Sequence, residues 1–154
     1  MKYSTSKILF FFIVLFFLDL LKPLGYALSV DFLFLGIVYV SLNYYFNSLI
    51  IFSLLFGYLK DIFAITPIPL NMIEYSLVSL FMYKIRTDFL FINKKNEDFP
   101  IKLIVAIFLF ILHFIFNQKN IELFLSLFFV VYLIQSALIY AFLTYFFRKY
   151  LLAK

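Results

Sequence analysis

Lys7-Ile8-Leu9-Phe10-Phe11-Phe12-Ile13-Val14-Leu15-Phe16-Phe17-Leu18 sets one cation before eleven uninterrupted apolar residues. Similar runs recur along all 154 residues, of which 66% are hydrophobic and only 14% charged. The mean hydropathy is +1.09. A soluble domain is roughly half apolar and about a quarter charged, and much of a domain this size stays at its surface. The composition therefore argues against a soluble enzyme or regulator. It predicts an all-α, polytopic integral membrane protein built from runs of about 20 mostly apolar residues.

Six such segments can be placed within a single transmembrane domain, 1–154. Their expected bounds are about 7–26, 27–42, 48–65, 69–85, 101–116 and 122–147. The first run also has the form of a secretory signal, with Gly25-Tyr26-Ala27 resembling a cleavage site. It continues through Leu20, Leu21 and Leu24, which favours an uncleaved first helix. Ser29 and Asp31 suit the start of the second helix, where a capping oxygen and a negative charge are favourable. Asn43-Tyr44-Tyr45-Phe46-Asn47 and Asn117-Gln118-Lys119-Asn120 read as turns, and Arg86 to Pro100 reads as a polar loop. Thr66-Pro67-Ile68-Pro69 must interrupt a helix, because proline lacks an amide donor and disfavours helix in the residue before it. With six spans, ten of the 13 basic residues fall on one side, Lys22 and Lys119 on the other, and Lys60 within a span. The positive-inside rule then predicts six transmembrane helices with both termini cytoplasmic.

The polar residues inside these runs are few. Lys60, Asp61 and Glu74 flank the proline turn, and ionisable groups at such depth are candidate functional residues. Two readings stand side by side: a buried cluster in which Lys60 neutralises a carboxylate across the hairpin, or side chains that reach to water. Adjacent residues on a helix point about 100° apart, so Lys60 and Asp61 are expected to serve different partners. Ser53, Gly57 and Asp61 recur every four residues and form a seam for close helix packing, as do Ala137 and Ala141 with Thr144 nearby. Asp19 and Asp31 lie near expected span ends. His113, the single histidine, reads as a helix-packing hydrogen bond. Cysteine is absent, so no disulfide or thiolate metal site is available. No phosphate loop, nucleophile elbow, metal-ligand spacing or basic aromatic-interleaved stretch occurs. The expectation is a non-enzyme with no cofactor, no metal and no nucleic-acid partner.

Leu54-Leu55-Phe56-Gly57-Tyr58-Leu59-Lys60-Asp61-Ile62-Phe63, followed by Pro67-Ile68-Pro69-Leu70-Asn71, resembles the MreD family of bacterial rod-shape-determining membrane proteins. That family shows a Gly-x-x-x-Asp near the end of its third span, matched here by Gly57 and Asp61. A turn and a fourth span with a basic end follow, like Lys84 and Arg86. Asp31 in Val30-Asp31-Phe32-Leu33 resembles the Pro-Asp that opens the family's second span, with Val30 in place of proline and Asn71 where glycine is frequent. The resemblance implies a non-enzymatic component of the cell-elongation machinery in the cytoplasmic membrane of a bacterium. It would maintain rod shape by binding partners of peptidoglycan synthesis. An MreC-like protein, other elongation-complex membrane proteins and membrane lipid are the implied partners, with a homo-oligomer also open. Asp31, Ser53, Gly57, Lys60, Asp61 and Glu74 are the candidate partner or helix-packing residues. The alternative is a substrate-binding membrane subunit of an energy-coupling-factor-type vitamin transporter. Such a subunit would line a polar pocket with Asp61, Glu74 and Lys60.

Overall fold

The computed structural model describes residues 5–21, 30–43, 48–65, 68–88, 99–117 and 127–152. These form six helices: α1 (Thr5–Leu20), α2 (Phe32–Asn43), α3 (Leu49–Ala64), α4 (Leu70–Asp88), α5 (Phe99–Asn117) and α6 (Leu127–Leu152). The chain divides into two compact units, one of Met1–Leu21 with Asp31–Lys94, the other of Lys22–Val30 with Lys95–Lys154. The expected cleavage-like Gly25-Tyr26-Ala27, Ser29, the 44–47 turn, Thr66-Pro67, the 89–98 part of the polar loop and the 118–120 turn lie outside the described residues.

Hydropathy and helix length part company here. Among the described residues, no helix is long and apolar enough to cross a membrane. The helices α1, α2 and α3 hold 16, 12 and 16 residues. At about 1.5 Å per residue they reach roughly 24, 18 and 24 Å, short of a hydrocarbon layer about 30 Å thick. The helices α4, α5 and α6 hold 19, 19 and 26 residues, and over their described residues none combines the length and apolarity of a span. The expectation of a polytopic membrane protein with six transmembrane helices and cytoplasmic ends is thereby corrected, and the multi-pass inner-membrane location with it. An apolar run is not by itself a span, and at α2 a polar residue sets the helix start inside the run. The backbone amide of Leu35 bonds the Asp31 carbonyl, so α2 begins only after Asp31. At the end of α3, Ile65 turns into the left-handed region at φ 52°, its N–H bonding back to Asp61 and Ile62.

In the first unit α2 is the central element. Ten of its 12 residues are buried, and α1, α3 and α4 all pack on it. Aromatic rings fill the space between helices. Phe12, fully buried, stacks on Phe56 at 5.4 Å, and Phe16 meets Phe63 edge-on at 5.5 Å. Phe34 packs against Tyr75 at 5.9 Å. Such pairs add on the order of 1 kcal/mol each beyond the area they bury.

The α3–α4 hairpin is the tightest contact of this unit, and Gly57 sets it. A Cβ added at Gly57 would lie 2.6 Å from the Met72 Cα and 2.9 Å from the Asn71 carbonyl oxygen. Both atoms belong to backbone, so neither can swing aside. Ser53 and Asp61, four residues to either side, are buried on the same face. The Ser53 hydroxyl bonds back to the Leu49 carbonyl at 2.9 Å, which satisfies it within its own helix. In the second unit, α5 and α6 pair through Phe110–Tyr140 at 6.4 Å and Phe114–Tyr132 at 5.2 Å. Ala137 and Ala141 are half-buried there, and the Thr144 hydroxyl bonds the Tyr140 carbonyl.

Gly57→Ala is expected to lower stability by about 1–3 kcal/mol, the usual cost of overpacking a tight contact. A thermal melt followed by circular dichroism reads this directly, and an unchanged midpoint would show that the hairpin is looser than described.

Candidate functional site

Helices that run alternately up and down bring particular ends together: the end of α1, the start of α2, the end of α3 and the start of α4. Each supplies one polar side chain to a single cluster. Asp19 is the penultimate residue of α1, Asp31 immediately precedes α2, Lys60 lies one turn before the end of α3, and Tyr75 lies in the second turn of α4.

Lys60 sits at the centre. Its ammonium forms an ion pair and hydrogen bond with Asp31, pairs with Asp19 at 3.5 Å and donates to the Tyr75 hydroxyl at 2.8 Å. It also lies 5.5 Å from the centre of the Tyr75 ring, an attractive position for a cation. The Tyr75 hydroxyl in turn donates to Asp31 Oδ2 at 2.7 Å. About a fifth of the Lys60 side chain remains exposed, against 9% for Asp31 and 5% for Asp19.

The carboxylates have a second duty. Asp19 accepts the backbone N–H groups of Phe32 and Leu33 at 2.9 and 3.1 Å. Asp31 accepts that of Phe34 at 2.9 Å. Three of the amides left open at the start of α2 are thus satisfied, and two negative charges face the positive end of its dipole.

Asp61 does the same for α4 across the hairpin. It accepts the Asn71 backbone N–H at 3.1 Å, the Asn71 side-chain amide at 2.6 Å and the Met72 N–H at 2.9 Å. Lys60 and Asp61 therefore serve different partners, in accord with their angular separation. Of the two readings open for Lys60, the structure gives a mostly buried ammonium, with Asp31 and Asp19 as its ion partners instead of a carboxylate across the hairpin. Glu74 is half-buried, and its charge adds to the field at the Tyr75 phenol.

Proton affinities follow from these neighbours. Burial alone pulls the Lys60 ammonium down, but the charges of Asp31 and Asp19 outweigh it and hold its pKa above the ordinary value. Burial pushes the Tyr75 phenol up, and Asp31 and Asp19 push it further, well above its usual range. Both groups are therefore protonated at neutral pH. The ammonium already occupies the place between two carboxylates that a bound cation would take. Among the described residues, no group of three or more potential ligands is arranged to hold a metal ion. A protonated, fully engaged lysine is a poor nucleophile, and the cluster is chemically a lock.

Sequence reasoning singled out Asp31, Ser53, Gly57, Lys60, Asp61 and Glu74. The fold brings Asp31 and Lys60 together, and it places Ser53, Gly57 and Asp61 on the α4-facing side of α3. Asp19, Tyr75 and Asn71 were missed as members of the site. The signal for Asp19 lay in the alternation of helix ends, which puts the last turn of α1 beside the first turn of α2. In the second unit His113 is buried with its ring stacked 6.4 Å from Tyr132. The buried Ser136 hydroxyl has no hydrogen-bond partner among the described residues.

No family model, curated protein or solved structure matches the chain. The resemblance to MreD is corrected accordingly. The role in the cell-elongation machinery falls with it, as does the alternative of a membrane-embedded vitamin-transporter subunit. Both roles require membrane-crossing helices, which the described residues do not form. The Gly57/Asp61 spacing has a local cause instead: close approach of two helices and the capping of α4.

Removing Lys60 leaves Asp31 and Asp19 without their countercharge. Lys60→Met is expected to cost about 3 kcal/mol, the lower end for a broken buried pair because the lysine is partly solvated. Denaturant titration measures it. A second expectation concerns pH. Groups whose folded pKa is raised contribute stability that is fully present below their unfolded values, near ~10 for both side chains, and is lost as pH rises through the folded ones. The melting temperature should hold from neutrality to about pH 9.5 and fall above about pH 10. Tyr75→Phe should shallow that fall, and identical profiles for the two proteins would contradict the assignment.

Proposed function

We propose that the chain is a non-catalytic helical subunit that works by packing its outward helix faces side-on against the helices of a protein partner. The observation that carries this reading is the separation of its chemistry. The polar groups of the lock and of the α4 cap are directed at one another, whereas the outward faces of α3 and α4 are apolar. On α4, Leu70, Ile73, Leu77 and Leu80 are 57%, 46%, 59% and 47% exposed. Their steps of three and four residues form one stripe, the spacing by which a helix presents a seam to another helix. Monomeric proteins seldom leave contiguous apolar patches of more than a few hundred Å² uncovered, and larger ones mark interaction surfaces.

The partner is defined by that chemistry: an apolar, helical protein surface. Nucleic acid fits the α4 stripe poorly, because Leu70, Ile73, Leu77 and Leu80 offer no cation to a phosphate. Catalysis is no part of the proposal, since it assigns the polar side chains of the cluster to holding helices.

Light scattering after size exclusion, with the full chain, tests the reading. The chain is expected to run as a protein complex, whether with itself or with a co-expressed protein. The double variant Leu55→Glu/Leu77→Glu should run as a monomer of unchanged helix content. A parent chain that stays monomeric and is held only by detergent or lipid would overturn the proposal.

A further inference from the structure

We draw no further inference here: the strongest candidate, the side-chain cluster at the start of α2 where the Asp19 carboxylate takes the Phe32 and Leu33 amides beside Lys60, belongs to the lock already described, and its hydrogen bonds point to no ligand beyond the chain.

Discussion

One ammonium group holds four helices in register. Lys60 lies between Asp31 and Asp19 and under the Tyr75 hydroxyl, and each partner comes from a different helix or its flank. In a chain with so few charges, an unpaired lysine among aromatic rings would be costly, and so would two unpaired carboxylates. The arrangement is favourable only with all of them present. It ties the end of α1 to the start of α2 and the end of α3 to the start of α4.

The lock also explains how the central helix is held. α2 buries ten of its 12 residues and has a very apolar surface on every side, so its own sequence specifies little about its rotation or axial position. The carboxylates supply that information. Asp19 and Asp31 accept three amides at its start, and the same two side chains hold Lys60 of α3. The axial position of α2 is thereby coupled to that of the α3–α4 hairpin. Asp61 repeats the device one helix further on, and Gly57 lets the two backbones come close enough for it to work.

Directing the polar groups inward leaves the outer faces to non-directional contact. Phe12, Phe34 and Tyr75 are interior, whereas Ile51, Tyr58 and Ile65 on the same unit face outward. Aromatic content as such therefore marks neither core nor interface in this chain. Position relative to the lock does, since α3 and α4 each turn one stripe toward it and another away. The proposed function follows from this division of labour between faces.

Six helical segments, the small-residue seam of α3 and the separate duties of Lys60 and Asp61 were legible in the amino-acid sequence, because apolar runs, their polar and proline breaks and the 100° step are local properties. Helix length was not. Run length in hydropathy overstates α2, which starts after Asp31, and no described helix combines the length and apolarity of a membrane span. The partner of Lys60 was likewise out of reach: Glu74 is nearer in the chain, but Asp31 and Asp19, 29 and 41 positions away, are nearer in space. Sequence alone determined that charge would be scarce and that few polar residues would have to carry the specific contacts. Which residues meet was decided by the up-and-down packing of four helices, since only that packing brings alternate helix ends to one place.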